Sequence, residues 1–372
     1  MNTVLITGGA GFIGCHVARA LLDRGYAVRV LDPLIEQVHA GTSPGRPLPQ
    51  RLPPEVEFID GDVRDATAVA SALKGADGVV HLAAEVGVGQ SMYAIDRYVS
   101  VNDYGTAVLF QQLTQNPVER VVVASSMSIY GEGLYRRADD TFADEVVRTA
   151  SVSGSWDPLD ERGGALIPVP TPEWKRPALT SVYALGKYVQ ERLTLTVCGA
   201  YGMQGVALRL FNVYGPGQAL SNPYTGVLAI FASRLLNGRR PLVFEDGEQR
   251  RDFVHVSDVA RAFAIALEHP AAPGNVYNVG SGEHRTIAEV AQLLARAMGR
   301  LDITPEITGK ARSGDIRHCF ADISKAEREL GFRARQDFGA DLAELAEWVA
   351  QQEAVDRAEE ARLELEARGL VA

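Results

Sequence analysis

"TVLITGGAGFIG", residues 3–14, opens with a short aliphatic and β-branched run and ends in Gly9-x-Gly11-x-x-Gly14. The run reads as a buried strand. Behind it, "FIGCHVARALLDRGY" carries apolar residues at helical spacing and stops at Gly25. Glycines spaced in this way between a strand and a helix have a mechanism. The first ones permit a tight turn and let the backbone approach a pyrophosphate. Gly14 lets helix and strand pack closely, and the first amides of the helix face the phosphates. A plain glycine turn leaves the flanking strand and helix unexplained and is the weaker reading.

The next strand, "AVRVLD", ends at Asp32, 18 residues after Gly14. A carboxylate there accepts hydrogen bonds from an adenosine ribose 2′-hydroxyl and repels a 2′-phosphate. Pro33-Leu34 offers no arginine in its place, so NAD is favoured over NADP. Asp62 ends the third strand, "VEFIDGD", where it either binds the adenine amine or caps the following helix. The strands "GVVHLAA" and "ERVVVAS" and the helices "ATAVASALKGA" and "VSVNDYGTAVLFQQLTQ" continue the alternation. This order predicts an α/β fold, a Rossmann-type doubly wound parallel sheet with a smaller mixed C-terminal lobe. The expected division is 1–214 for the NAD-binding domain, 215–340 for the lobe and 341–372 for a helical extension. Residues 33–54 read as a Pro/Gly-rich loop, 134–176 as an insertion without a clean period, and 340–370 as one long amphipathic helix.

Composition narrows the function. Of 372 residues, 46% are hydrophobic and 23% charged, which supplies an ordinary globular core. A formal net charge of -10 argues against nucleic acid as a partner. Cys15, Cys198 and Cys319 are far apart and form no CxxC pair, so neither a structural zinc nor a disulfide framework is expected. The N-terminus lacks a basic region, and no apolar run is long enough to span a bilayer. The expectation is a cytoplasmic protein with no membrane association and no bound metal.

Two stretches carry the reacting groups. "SSMSIYG" (125–131) ends a strand with three hydroxyls in four residues and no acid before Glu132. In "SVYALGK", Tyr183 and Lys187 are four residues apart on a helix and share one face, roughly 6 Å apart. A nearby ammonium and a positive nicotinamide ring would favour the phenolate, making Tyr183 a base. The Tyr-x-x-x-Lys spacing is common on ordinary helices. It gains weight by following the glycine turn and the serine cluster.

With these motifs the chain resembles the extended short-chain dehydrogenase/reductases of the nucleotide-sugar epimerase and dehydratase group. "TGGAGFIG", "GDVRD", "HLAA", "SSMSIYG", "YALGK", "RLFNVYGPGQ", "RRDFVHVSDVA" and "NVGSGEHRTIAEV" run in family order over residues 1 to 332. Within the group, "VGVGQSMY" and "SSMSIYGEGLYR" are most similar to sequences described as dTDP-L-rhamnose 4-epimerases. The resemblance implies a catalytic hydroxyl at Ser126, a base at Tyr183 and its partner at Lys187. It implies NAD contacts at Gly8, Gly11, Phe12, Ile13, Gly14, Asp32, Asp62, Val63, Leu82, Ala83, Ala84, Asn102, Tyr183 and Lys187. A nucleotide-diphosphate sugar would meet Ser126, Ser128, Asn212, Arg251, Arg312 and Asp315. Family members pair helices matching 102–116 and 183–199, which implies a homodimer.

The activity this implies is NAD-dependent 4-epimerisation by transient C4 oxidation and hydride return. A 4,6-dehydratase, a decarboxylase or a non-catalytic NAD-binding regulatory protein on the same fold is the alternative. Related dehydratases and decarboxylases carry acids directly after the catalytic hydroxyl, where this chain has Met127 and Ser128. "VGVGQSMY" holds no Lys or Arg to pair a uronic acid, so a neutral hexose or 6-deoxyhexose is favoured. The base, dTDP or UDP, stays open.

Overall fold

The computed structural model describes residues 1–39, 52–148 and 156–371. Seven strands form one parallel sheet: β1 (Thr3–Thr7), β2 (Ala27–Asp32), β3 (Glu57–Asp60), β4 (Gly78–His81), β5 (Arg120–Ser126), β6 (Gln204–Leu210) and β7 (Val276–Val279). Their order is β3-β2-β1-β4-β5-β6-β7. The winding reverses between β1 and β4, so a crevice opens at the carboxyl ends of these strands. Helices α1 (Phe12–Leu22), α2 (Ala66–Leu73), α3 (Gly105–Gln115) and α4 (Val182–Ala200) alternate with the strands. Later come α5 (Val227–Leu236), α6 (Val256–Glu268), α7 (Ile287–Ala297), α8 (Phe338–Ala350) and α9 (Ala358–Ala367).

Period-two alternation sends successive side chains to opposite faces. Val4 and Ile6 of β1 pack with Val17 and Leu21 of α1 and Val259 and Phe263 of α6. Leu5 of β1 packs on the other face with Val69 of α2, Leu109 of α3 and Cys198 of α4. A separate cluster joins Phe231 of α5, Leu294 of α7 and Leu342 and Leu345 of α8. Because α6 and β7 belong to the sheet layer, the chain crosses between these cores more than once after residue 214.

Two expectations need correction. The helix expected over 340–370 is broken: α8 stops at Ala350 and α9 begins at Ala358. The linking backbone finds partners elsewhere. Val355 N–H donates to Ser221 Oγ at 3.0 Å, the Ala354 carbonyl accepts from Asn237 Nδ2 at 2.9 Å, and the Asp356 carboxylate pairs with Arg234 and Arg239. These tertiary ties outweigh the local helical pattern. The expected insertion also contains order. Leu134–Arg136 pairs antiparallel with Phe142–Ala143 and with Ile167–Val169. Residues 40–51 of the expected loop and 149–155 of the insertion lie outside the described residues. Cys15, Cys198 and Cys319 are buried thiols, none in a disulfide. Among the described residues, no helix is long and apolar enough to cross a membrane.

Candidate active site

A cavity of about 1160 Å³ opens along the carboxyl ends of the central strands. Its inner end is the glycine turn. Gly8 has φ +69°, and a Cβ there would stand 2.7 Å from the Ala83 amide nitrogen. A Cβ on Gly14 would lie 2.5 Å from the Gly9 backbone, so this glycine serves packing of the turn against α1. At Gly11 the nearest atom to such a Cβ is the Gly8 carbonyl oxygen at 3.3 Å. Gly11 caps α1 without a side-chain acceptor, and Gly11, Phe12, Ile13 and Gly14 all line the cavity. A cradle of small residues at a helix N-terminus fits a dinucleotide pyrophosphate.

Asp32 is buried at the cavity wall. It accepts the Ala10 amide at 3.1 Å and the Leu34 amide at 2.9 Å, and His39 Nε2 lies 3.6 Å away. Asp62, Val63, Leu82, Ala83 and Ala84 line the same cavity. Asp65, and not Asp62, caps α2, by accepting the Thr67 and Ala68 amides. Asp62 instead holds Arg64 at 2.6 Å, and this pairing lowers its carboxyl pKa. Asn102 sits one layer back, outside the cavity lining. Its amide accepts the Glu85 N–H at 2.7 Å and donates to the Glu85 carbonyl at 3.1 Å, which fixes the loop after β4.

At the other end, Ser126 finishes β5 and Tyr183 stands in the first turn of α4. The Ser126 hydroxyl lies beside the Tyr183 phenol and acts on its titration. Burial raises the phenol pKa, and the Ser126 hydroxyl offsets part of the rise. The depressed phenol expected from the sequence is therefore not produced by burial in this pocket. Lys187 is also buried, which lowers its ammonium to about 7, and its Nζ donates to Gln190 Oε1 at 2.7 Å. Gln190 in turn contacts His81 Nε2 at 3.1 Å and donates to the Ala83 carbonyl at 3.2 Å. His81 bonds Thr7 Oγ1 at 2.7 Å and Thr106 Oγ1 at 2.9 Å, and burial followed by Lys187 lowers it to about 3. A neutral, fully bonded imidazole thus anchors the helix that carries Tyr183 and Lys187 to β1 and β4.

Arg251, Arg312 and Asp315 form a second group, and neither they nor Asn212 line the cavity. Asp315 Oδ2 accepts Arg312 Nη2 at 2.9 Å, and Asp315 Oδ1 lies 3.6 Å from Arg251. Burial alone would raise the Asp315 carboxyl, and the two guanidiniums carry it below its usual range. Arg312 also lies 4.5 Å over the Phe244 ring and stays partly exposed. Arg251 departs from the expected clamp. It is buried and donates to the carbonyls of Arg250, Ile316 and Arg317, bracing the segment after Asp315. Among the described residues, Asn212 Oδ1 is buried without a hydrogen-bond partner. Ser128 does not reach the cavity wall. Its amide and hydroxyl both return to Ser126 Oγ, at 3.1 and 2.9 Å.

Sequence reasoning missed Gln190, although its i+3 spacing from Lys187 was a signal. It also missed Arg97, which lines the cavity and meets Glu85 at 3.0 Å and Gln90 at 2.7 Å. The lack of a cation in "VGVGQSMY" therefore does not leave the cavity without one; Arg97 arrives from the following helical turn, matched by Glu85.

Comparison with known proteins follows the same lines. The model of the NAD dependent epimerase/dehydratase family matches residues 4–152 and 164–280. A dTDP-L-rhamnose 4-epimerase of Burkholderia thailandensis is 34% identical over 356 residues, covering 94% of this chain and 95% of its own. A dTDP-glucose 4,6-dehydratase of an Actinoplanes species is 30% identical, covering 93% of this chain and 97% of its own. The solved structure of a Thermus thermophilus UDP-glucose 4-epimerase in complex with NAD is 30% identical, with a TM-score of 0.74 and coverage of 94% of this chain and 100% of its own. Agreement over this much of the sequence and the fold places the chain in the NAD-dependent epimerase/dehydratase family, with NAD as its cofactor.

Proposed function

We propose that the chain is a nucleotide-sugar 4-epimerase acting on a dTDP- or UDP-linked hexose or 6-deoxyhexose such as dTDP-L-rhamnose. The observation that supports it best is that, among the described residues, no acid stands available beside Ser126. Met127 and Ser128 follow it, and Ser128 is folded back on Ser126. Glu132 is engaged by the Arg317 amide at 2.6 Å and the Tyr135 hydroxyl at 2.6 Å. Glu191, one layer behind Ser125, is held by Arg209 at 2.7 and 3.0 Å. Dehydration would have to protonate a departing hydroxide, and a neutral hydroxyl does so poorly.

Bound NAD supplies a reversible acceptor for the hydrogen on C4. In this reading Tyr183 takes the proton from the C4 hydroxyl and later returns it, acting from the mouth of α4. Ser126 donates to the phenolate oxygen and steadies it. Lys187, oriented by Gln190, sets its amine one helical turn from the base and holds the nicotinamide ribose. Gly8, Gly11 and the α1 amides hold the pyrophosphate, and Asp32 selects the unphosphorylated adenosine ribose. Arg312 and Asp315 take the sugar nucleotide's diphosphate and ribose, and Asn212 is a further contact to it. Charge balance supports a neutral sugar, since Glu85 already matches Arg97.

The test is mass spectrometry and NMR of turned-over nucleotide sugars, with dTDP-L-rhamnose first. A product of unchanged mass and inverted C4 is expected. The Actinoplanes relative's name motivates a second reading, and a product lighter by one water would establish that instead.

A further inference from the structure

The last residues of the chain bridge two walls beside the proposed substrate site. On one side, Leu365 of α9 is buried against Gly89, where an added Cβ would come within 3.2 Å of it. Next to it, the Arg368 guanidinium lies 4.5 Å over the Tyr93 ring. On the other side, the Leu370 carbonyl accepts the Ser313 amide at 2.8 Å, and Val371 forms an antiparallel bridge with Arg312. Lys310 Nζ meets Glu366 at 2.6 Å. The two walls themselves converge at Thr180, just before α4: a Cβ on Gly314 would lie 3.0 Å from the Thr180 carbonyl and 3.9 Å from Val88 Cγ1. Asp356 anchors the start of the segment on Arg234 and Arg239 of the lobe.

We propose that residues 356–371 are a clasp that fixes the Arg312–Asp315 arm against the Val88–Tyr93 turn, so that a nucleoside diphosphate meets a preformed wall. The inference rests on the reading of Arg312 and Asp315 as nucleotide contacts. Segment 308–315 is tied at its start to residues 243–245 by backbone bonds at Thr308, Gly309 and Lys310, and at its end by Arg148 to the Asp315 carbonyl; between these ends it carries the left-handed Gly314, and its backbone bridge runs to Val371. Without the clasp, binding would have to order this arm, and that cost falls on affinity and not on the chemical step. Leu365, Arg368 and Val371 are thus positioning residues, acting through Arg312 and Asp315.

The experiment measures dTDP and UDP binding by calorimetry, together with kcat and KM for the turned-over sugar. It compares wild type, a Leu365→Ala/Arg368→Ala double variant, a chain ending at Asp356, and Arg312→Ala. For whichever nucleotide binds the wild type, we expect the double variant and the shortened chain to lose about tenfold in affinity, with KM rising in step, kcat within about threefold and NAD content unchanged. If Arg312→Ala weakens binding while the double variant does not, the clasp is wrong and the nucleotide reading survives. If Arg312→Ala leaves binding unchanged, or neither nucleotide binds wild type, the nucleotide reading fails and takes the clasp with it. A loss of kcat with affinity intact would also overturn the clasp.

Discussion

Tyr183 carries the proposed chemistry on one oxygen, and its surroundings say what that oxygen needs. Burial pushes the phenol up, and Ser126 pulls it back in part. Tyr183→Phe keeps the ring and its packing but removes the proton-transfer group. Turnover should fall by roughly two to four orders of magnitude with NAD content unchanged, and retention of more than half the activity would remove Tyr183 from the mechanism. Lys187 offers a test independent of activity. Its amine sits at about 7 in the fold, against about 10.4 in an unfolded chain. Between these values the unfolded chain binds the proton that the folded chain has released, so this group makes stability rise with pH. At pH 7 the cost of its burial is nearly complete, and Lys187→Met should be the more stable protein. Its advantage should shrink by up to about 1.4 kcal/mol per pH unit from pH 7 to 9, read from denaturant melts of protein stripped of NAD. A difference independent of pH would contradict the buried, easily deprotonated amine.

Helix α4 is the element that converts spacing into a site. Ser181 caps it by accepting the Ala184 amide at 3.1 Å, two residues before Tyr183. The cap sets the entry angle of the first turn, where Tyr183 lies. Ser181→Ala should cost about 1 kcal/mol of stability. It should also lower kcat more than it raises KM, because the loosened turn carries the base. Calorimetric melting and steady-state kinetics check both, and a loss of stability with kcat untouched would show that the rest of the fold holds Tyr183 without the cap. Deeper in α4, Gln190 and His81 tie the same helix to β1 and β4 through Thr7, Thr106 and the Ala83 backbone. The helix is thereby pinned at both its start and its middle.

The sheet domain carries exposed apolar side chains on and next to two packed helices. Helices α3 and α4 pack together, and nearby Tyr104, Leu185 and Tyr201 are exposed at 58%, 44% and 56%. We expect two copies to meet there as a homodimer. Light scattering should give twice the chain mass for wild type and a shift toward one chain for Leu185→Glu, since a buried, unpaired carboxylate opposes association. A wild-type chain that is monomeric at micromolar concentration would dismiss the contact.

Local order along the chain was enough for the strand–turn–helix at residues 3–22, for the alternation that makes the sheet parallel and for the one-turn spacing of Tyr183 and Lys187. Periods of 2 and 3.6 and the steric needs of a turn act between near neighbours, and near neighbours are what a sequence displays. Other features depended on groups that meet only when the chain is folded. Ser126 finds Tyr183, 57 residues later. Arg209 matches Glu191, Arg97 joins the cavity opposite Glu85, and Arg251 turns to carbonyls of the 315–317 segment. The C-terminal helix breaks because Ser221, Asn237 and Arg234 offer its linking backbone and Asp356 better partners than another turn of helix would. Charge pairing, desolvation and competing hydrogen bonds depend on distance in space, so they are settled by packing and have no signature in local spacing.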